Sequence, residues 1–324
     1  MSILVSGGAG YIGSHMTYAL CDEAEHAVVL DDLSTGLHEL VDERATFVRG
    51  DVGDKSLVTG LFKEYDFDCV IHFAGSVVVP ESVQLPLRYY SNNTLVTLKL
   101  IEACTEFGVK NFIFSSTAAV YGVPDQQQVT EETPLEPISP YGRSKLMIEW
   151  ILEDTAKISD FRYIALRYFN VAGADPAGRT GQSTPNATHL IKRACQVALG
   201  RASHLDVFGT DYPTPDGTAV RDYIHVSDLI AAHEQALRAL PRGAPSAVLN
   251  CGYGHGFSVR EVLRSVERVA GHKFTTCEAP RRAGDPAMLI SHPSRLKTSL
   301  GWMPTYDDLD LIVASALAWE SRSA

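Results

Sequence analysis

Short apolar segments alternate with helical segments through the first half of the chain, and this alternation restricts the fold more than any other feature. The predicted strands are Ile3–Ser6, Ala27–Leu30, Thr46–Arg49, Cys69–Phe73, Asn111–Ser115 and Tyr163–Arg167. The predicted helices are Tyr11–Glu23, Lys55–Glu64, Val83–Phe107, which Pro86 can interrupt, and Pro140–Ile158. Strand–helix alternation favours an α/β fold with a doubly wound parallel sheet of the Rossmann type.

The second half of the chain has a different composition. Residues 172–186 and 209–218 are rich in Gly, Pro, Thr and Asp, which is typical of long ordered loops. Further helices are predicted at Thr188–Gly200, Val226–Leu240, Ser258–Ala270 and Leu309–Ser321. We expect a first domain at residues 1–170 and a smaller C-terminal α/β domain at 171–324. Segments near 222–250, including the strand "AVLNCG", can return to the first sheet.

Charge and cysteine usage limit the partners that we expect. The net charge of −11 argues against nucleic acid or an anionic membrane as the main partner. The six cysteines form no CxxC pair, and the eleven histidines form no HExxH motif, so we expect reduced thiols and no metal. The sequence enters "SILVSGG" directly after Met1 and holds no bilayer-length apolar run, which favours a cytoplasmic protein.

A glycine motif follows the first predicted strand and precedes the first helix. In "ILVSGGAGYIGSH", Gly7, Gly10 and Gly13 permit a tight turn and let a pyrophosphate approach the helix N-terminus. Asp31 ends the next strand, where a carboxylate can accept hydrogen bonds from a ribose 2′-OH and would repel a 2′-phosphate. The pair therefore predicts a dinucleotide site that prefers NAD to NADP.

Three later segments fit the same groove. Asp51 in "RGDVGD" suits the adenine amino group, with Val52 beside it, and Ala74 and Gly75 in "HFAGS" are small enough to admit a cofactor. Asn92 or its neighbour Asn93 is placed to bind the ribose on the nicotinamide side. Each of these segments alone is equally consistent with ordinary strand-end chemistry.

The segment "SPYGRSK" places Tyr141 and Lys145 one helical turn apart. One interpretation is a surface helix; the other is a proton-transfer site in which Lys145 and an oxidised nicotinamide make the phenol ionisable. Lowering a phenol pKa from 10 to 7 needs about 4 kcal/mol. Ser115, Ser116 and Thr117 end a predicted strand nearby, and a Thr117 hydroxyl can align the substrate oxygen. This combination favours the proton-transfer site.

The motifs "GGAGYIGSH", "SSTAAVYG", "SPYGRSK", "RYFNVAGADPAG" and "GTAVRDYIHVSDL" resemble those of the UDP-glucose 4-epimerase family, which are extended short-chain dehydrogenases/reductases. The resemblance implies an NAD-binding domain, a UDP-sugar-binding domain and a homodimer formed through helices near 88–107 and 140–157. The implied catalytic residues are Thr117, Tyr141 and Lys145.

The resemblance also implies two sets of binding residues. The implied cofactor-binding residues are Gly7, Gly10, Tyr11, Ile12, Gly13, Asp31, Asp32, Asp51, Val52, Phe73, Ala74, Gly75, Asn92, Ser115, Tyr141, Lys145 and Tyr168. The implied substrate-binding residues are Thr117, Tyr141, Asn170, His189, Leu190, Phe208, Arg221, Arg282, Asp285 and Leu289. The sequence departs from many family members at Val77, where they carry a lysine, and at Leu289, where some carry a tyrosine.

Several reactions use this cofactor and this Tyr–Lys pair. Dehydratases of the superfamily follow the strand-end threonine with Asp-Glu, whereas Ala118 and Ala119 follow Thr117 here. The resemblance therefore implies interconversion of UDP-galactose and UDP-glucose through a 4-keto sugar. A UDP-N-acetylglucosamine 4-epimerase, another nucleotide-sugar epimerase or dehydratase, and a non-catalytic NAD-binding regulator remain as alternatives.

Overall fold

The computed structural model describes residues 1–185, 187–282 and 284–322. Its strands are β1 (Ser2–Ser6), β2 (His26–Asp31), β3 (Thr46–Arg49), β4 (Cys69–His72), β5 (Asn111–Thr117), β6 (Gln128–Val129), β7 (Arg162–Tyr168), β8 (Asn170–Ala172), β9 (Leu205–Phe208), β10 (Val220–Arg221), β11 (Tyr223–His225), β12 (Ala247–Cys251), β13 (Phe257–Ser258), β14 (Thr276–Ala279) and β15 (Met288–Ser291). The α-helices are α1 (Tyr11–Asp22), α2 (Lys55–Glu64), α3 (Val79–Gln84), α4 (Pro86–Tyr89), α5 (Val96–Phe107), α6 (Pro140–Ile158), α7 (Leu190–Ala198), α8 (Val226–Ala239), α9 (Val259–Ala270), α10 (Ser294–Leu300) and α11 (Leu309–Arg322).

A seven-stranded parallel sheet forms the centre of the molecule, in the order β12-β7-β5-β4-β1-β2-β3. The chain builds outward from β1 to β3, then returns to the other side of β1 and builds outward again from β4. The strand order therefore reverses between β1 and β4. In such sheets the carboxyl ends of the strands at this switch point form a ligand crevice. The predicted doubly wound α/β fold is confirmed.

Apolar side chains cover both faces of the sheet. In β1, Ile3 and Val5 belong to one buried cluster, while Leu4 between them belongs to another. Successive strand residues point to opposite faces, so each cluster is the core on one side of the sheet. Helices pack against both cores, which explains why the strands are nearly continuous apolar runs.

The predicted helix Val83–Phe107 is divided in the structure. Helices α3 and α4 meet at Leu85, whose φ of −126° and ψ of 56° lie outside the helical region. The residue before a proline disfavours the helical conformation, so Pro86 accounts for this break. A π-helical segment, Tyr90–Leu95, then joins α4 to α5. Turns of 3₁₀ helix occur at His38–Leu40, Ala118–Tyr121 and Leu240–Arg242.

The chain after β7 contributes one strand to the large sheet and, together with β6, forms three small sheets. Strand β12 pairs in parallel with β7 at the sheet edge. The small sheets have the orders β13-β10-β15-β6, β11-β8 and β14-β9. The division of the chain at residues 170 and 171 stays a prediction.

No helix among the described residues is both long and apolar enough to span a bilayer. Within the same part of the chain, no three His, Cys, Asp or Glu side chains come together as a metal-binding group.

Candidate functional site

The glycine loop between β1 and α1 packs directly against neighbouring backbone, with no room for side chains at Gly7 and Gly13. Gly7 has a φ of 74°, and a Cβ there would lie 2.5 Å from the backbone nitrogen of Ala74. A Cβ on Gly13 would lie 2.1 Å from the Gly7 carbonyl oxygen. Gly10 caps α1 without bringing a side chain, and Tyr11 and Ile12 begin the helix. The first turn of α1 therefore offers backbone N–H groups to an anion.

Asp31 ends β2 beside this loop and is only 7% exposed. Its carboxylate accepts hydrogen bonds from the backbone N–H groups of Ala9, at 3.0 Å, and Leu33, at 2.8 Å. Burial raises the pKa of Asp31, and these two hydrogen bonds lower it by less. Each oxygen has a further lone pair for a ribose hydroxyl. Asp32 is turned into its own loop, where it accepts the N–H of Ser34.

The ends of β3 and β4 supply the next predicted residues. Asp51 is exposed and accepts the N–H of Gly53 at 2.7 Å, while Val52 is buried. Phe73 and Ala74 follow β4, and Phe73 packs against the His233 ring with 5.1 Å between ring centroids. The small and acidic residues of this edge fit an adenosine.

Gly75 brings Asn93 and Lys145 together. A Cβ on Gly75 would lie 2.9 Å from the Asn93 Oδ1 and 3.8 Å from the Lys145 Nζ. Asn93 is buried, accepts the Ser76 N–H and donates to the Ser144 hydroxyl, so its amide is engaged by the protein. Asn92 is exposed and donates to the Ser76 hydroxyl at 3.2 Å. Of the two asparagines, Asn92 is the one exposed to a ligand.

Helix α6 carries the predicted proton-transfer pair. The Ser139 hydroxyl accepts the Gly142 N–H at 3.1 Å as the N-cap, and Pro140 occupies the first turn, so the predicted start of the helix is correct. The Lys145 ammonium is 2% exposed, donates to the Ser115 carbonyl at 2.9 Å and lies 4.8 Å from the centre of the Phe114 ring.

Thr117 ends β5 opposite this helix. Its hydroxyl accepts the Ala119 N–H at 3.1 Å and lies near enough to the Tyr141 phenol to lower the pKa of that group. The structure therefore brings Ser115, Thr117, Tyr141 and Lys145 together at the carboxyl end of β5, as the sequence predicts. Their chemical roles stay predictions.

Burial acts on the charge states of both members of the predicted proton-transfer pair. Burial raises the pKa of Tyr141 above its ordinary value, and the neighbouring Thr117 hydroxyl lowers it by less. Burial also lowers the pKa of Lys145 to about 8. Both shifts favour the neutral form of each group. That Lys145 and an oxidised nicotinamide together make the phenol ionisable stays a prediction.

Tyr168 ends β7 and shares a buried hydrogen bond with His233 on α8. The His233 Nδ1 lies 2.9 Å from the Leu229 carbonyl and must donate to it, so the Nε2 accepts the Tyr168 hydroxyl proton. Sequence reasoning missed His233. Its signal was the helical segment "DLIAAHEQAL", in which one histidine falls on an apolar face.

Four predicted substrate residues form one cluster in the second half. The Arg221 guanidinium donates to the Asp285 carboxylate at 2.5 Å, and the Arg282 guanidinium lies 4.0 Å from the centre of the Phe208 ring. These contacts join β9 and β10 to the loop before β15. Arginine forks suit phosphate oxygens, and an aromatic ring suits a base.

Three other predicted substrate residues lie at a separate cavity. Asn170, His189 and Leu190 line it together with Tyr11. Burial lowers the pKa of His189. Sequence reasoning missed other residues that line this cavity, among them Gln182, Lys192, Tyr223, Trp319 and Glu320.

Leu289 is buried opposite Arg221 in the β10–β15 pair, in one apolar cluster with Ala118 and Leu146. It therefore lies between the arginine cluster and the reacting strand end. Val77, the other departure from the family pattern, is exposed.

Residues 3–252 match the NAD dependent epimerase/dehydratase family. The chain is 54% identical to the UDP-glucose 4-epimerase of Azospirillum brasilense, covering 98% of this chain and 91% of that protein. It is 47% identical to the UDP-glucose 4-epimerase of Streptococcus mutans, covering 99% of this chain and 97% of that protein. The crystal structure of UDP-glucose 4-epimerase from Brucella ovis in complex with NAD is 43% identical, with a TM-score of 0.95 and 98% of both chains covered.

Proposed function

We propose that this chain, which belongs to the NAD dependent epimerase/dehydratase family, interconverts UDP-galactose and UDP-glucose with NAD as its cofactor. The glycine loop, the open first turn of α1 and the Asp31 carboxylate fit the pyrophosphate and the adenosine ribose of NAD. The same carboxylate disfavours a 2′-phosphate. Oxidised nicotinamide, when bound, accepts a hydride from C4 of the sugar and later returns it to the opposite face.

The observation that carries this proposal is the meeting of Thr117, Tyr141 and Lys145 at the carboxyl end of β5. Ala118 and Ala119 follow Thr117 in the 3₁₀ turn, so no carboxylate follows it to promote loss of water. An arrangement with one acid–base group and no second acid suits reversible oxidation at one carbon. This favours epimerisation over dehydration.

Tyr141 is the acid–base group in this scheme. As phenolate it takes the proton of the sugar 4-OH, and as phenol it returns a proton to the 4-keto oxygen. The Thr117 hydroxyl holds the substrate oxygen next to the phenol. The Lys145 ammonium, fixed by the Ser115 carbonyl, favours the phenolate once substrate and cofactor exclude water.

The sugar must turn over between the two halves of the reaction, so its nucleotide needs firm contacts and its hexose needs few. Arg221 and Arg282 supply positive charge for the diphosphate, and the Phe208 ring supplies a face for uracil. Asp285 suits ribose hydroxyls. The side chains toward the reacting end, Ala118, Leu146 and Leu289, are apolar and leave the hexose free to rotate.

The direct test is to mix UDP-galactose with purified protein and no added redox agent. Accumulation of UDP-glucose is the expected result. A 4-keto-6-deoxy sugar would instead indicate a dehydratase, and the absence of turnover would indicate a binding role. Tyr141→Phe should lower kcat by about 10²- to 10⁴-fold while leaving the fold intact. The matched control is Tyr65→Phe, on a half-buried tyrosine that directly follows α2 as its C-cap.

The assembly and location of the chain are part of the same proposal. Exposed apolar side chains gather on the helices between residues 79 and 158, namely Val79, Val83, Leu87, Leu95, Met147 and Trp150. Such a surface suits a homodimer. Trp150→Glu should reduce the mass measured by light scattering from two chains to one. The cysteines are unpaired in the structure, which fits the cytoplasm.

A further inference from the structure

A buried carboxylate lies one helical turn beyond the proton-transfer pair. Helix α6 carries Tyr141, Lys145 and Glu149 at intervals of four residues, which places all three on one face. Glu149 is 3% exposed, although carboxylates are rarely buried without a partner. Because Glu149 lies next to the reacting groups, the partners of its carboxylate bear on how those groups are positioned.

Glu149 binds both strands that end at the site. It accepts the hydroxyl of Ser116 on β5. It also accepts two hydrogen bonds from Arg167 on β7, from the Nε at 3.0 Å and from a terminal nitrogen at 2.7 Å. Ser116 and Arg167 are directly opposite each other in the β5–β7 pair, and the next residues along are Thr117 and Tyr168. One carboxylate thus joins α6 to both strands immediately before their reacting ends.

Arg167 extends the contact to the turn after Thr117. Its second terminal nitrogen donates to the hydroxyl of Tyr121 at 2.8 Å, and Tyr121 donates to the Asn250 side chain at 2.6 Å. Tyr121 ends the 3₁₀ turn that the Thr117 hydroxyl caps. Asn250 lies beside Arg167 in the β7–β12 pair. The same network therefore braces Thr117 from both sides.

Stability alone is a weak reason for this ion pair. Transfer of two charges into the interior carries a large desolvation cost, and apolar replacements of buried ion pairs are often neutral or stabilising. A two-point guanidinium–carboxylate contact does, however, fix geometry, because both groups are planar and both hydrogen bonds must be satisfied. The benefit expected of such a pair is the relative position of the elements it joins.

We propose that the Glu149–Arg167 pair is a positioning device that holds the Tyr141 phenol in line with the Thr117 hydroxyl. Glu149 and Arg167 act through these two residues and touch neither substrate nor cofactor. The inference rests on the proposed epimerase function. Loss of the pair should let α6 shift relative to β5, and displacements of about 1 Å can cost about 10²-fold in rate.

The test is Glu149→Gln, assayed with UDP-galactose and with UDP-galactose that carries deuterium at C4. We expect kcat to fall about 10- to 100-fold and KM to stay within about 2-fold, because alignment and not binding is lost. The deuterium isotope effect on kcat should rise above that of the wild type, since hydride transfer then limits the rate. Arg167→Lys keeps the charge but not the fork and should behave in the same way.

A matched control is Asp42→Asn. Asp42 is 3% exposed and also binds an arginine, Arg44, through both oxygens, but it lies outside the site. This variant should keep the wild-type kcat and isotope effect. If Glu149→Gln does not fold, Ser116→Ala removes one contact and leaves the ion pair. It should lower kcat several-fold and raise the isotope effect as well.

The outcomes separate this inference from the function on which it rests. Wild-type kcat and isotope effect in the Glu149 and Ser116 variants would overturn the inference, whatever happened to their melting temperatures. So would a loss of kcat matched by an equal loss in Asp42→Asn. A wild-type chain that converts no UDP-galactose would overturn the proposed function, and the positioning role with it.

Discussion

Lys145 and Tyr141 lie on one face of α6, yet burial changes their pKa values in opposite directions. Burial lowers the pKa of the ammonium to about 8 and raises the pKa of the phenol. Both changes favour the neutral form of each group, which is what a dry cleft does to any charge. At neutral pH the phenol therefore stays neutral, whereas an ammonium with a pKa of about 8 keeps most of its charge. The cation that completes the site is expected from the cofactor.

A pH-dependent stability follows from the pKa of Lys145. The unfolded chain holds this proton up to about pH 10.5, whereas the folded chain releases it near pH 8. Between these values the unfolded state binds more protons, so stability rises with pH. Urea unfolding of the wild type and of Lys145→Met should therefore show a wild-type gain, relative to the variant, from pH 8 to 10. Parallel pH profiles would contradict the lowered pKa.

The candidate catalytic residues were easier to predict from the sequence than their burial and their hydrogen-bond partners. Tyr141, Lys145 and Thr117 could be selected because spacing along a helix and position at a strand end are local properties. The pKa of Tyr141 could not be predicted, because burial depends on what the rest of the chain packs over it. The partnership of Tyr168 with His233 joins residues 65 positions apart, and nothing local indicates it. Similarly, the contacts of Glu149 could not be predicted without knowing that β5 and β7 are neighbours in the sheet.

At the scale of elements, the glycine loop and α1 form the most restricted segment. Gly13 lies where any side chain would meet the Gly7 carbonyl oxygen, and the loop also packs against the end of β4. Glycine in the middle of a helix is otherwise unfavourable, so its place here reflects backbone contact. By contrast, a Cβ on Gly60, in α2, would meet no atom within 4 Å.

These two glycines give a matched pair of substitutions. Gly13→Ala should destabilise the chain by about 1–3 kcal/mol or more and reduce the NAD released on denaturation, because the loop must move. Gly60→Ala should stabilise it by about 0.5–1 kcal/mol, because alanine favours the helix and nothing obstructs it. Urea unfolding measures both effects. An equal change in the free energy of unfolding of the two variants would show that helix propensity, and not the contact of the loop with backbone, determines the effect of each substitution.

Elements of the first half were predicted within two residues at most ends, since buried parallel strands and amphipathic helices are visible in the sequence itself. In the second half, helices α7, α8, α9 and α11 were also predicted within two residues, and the strand β12 returns to the first sheet as expected. The other strands of the second half were not predicted. They have two to four residues, too few to show a period, and they pair with distant partners, such as β15 with both β6 and β10. Helix α10 was missed because it has only seven residues.

At the scale of the whole molecule, neutral histidines are buried in the interior of both halves of the chain. His15, His72, His225 and His233 lie in the interior, and burial lowers the pKa of each to about 3 or 4. His72 lies between the hydroxyls of Ser6 and Thr97, which joins β1 and β4 to α5. All four must take up protons when the chain unfolds in mild acid.

Stability should therefore fall as the pH drops from about 6.5 toward 4, because the unfolded state binds protons that the folded state refuses. Each histidine should cost about 1 kcal/mol between pH 7 and pH 5.5. Chemical unfolding at the two pH values measures the loss. A wild-type stability that is equal at both pH values would contradict the buried neutral state of these histidines.

The central claim is that the sugar loses and regains hydrogen at C4 within one closed cycle. The most direct measurement uses UDP-galactose with deuterium at C4 and follows the label by mass spectrometry and NMR as UDP-glucose forms. The account predicts that the product keeps the deuterium at C4 and that none enters the solvent. Loss of the label to water during conversion would contradict it.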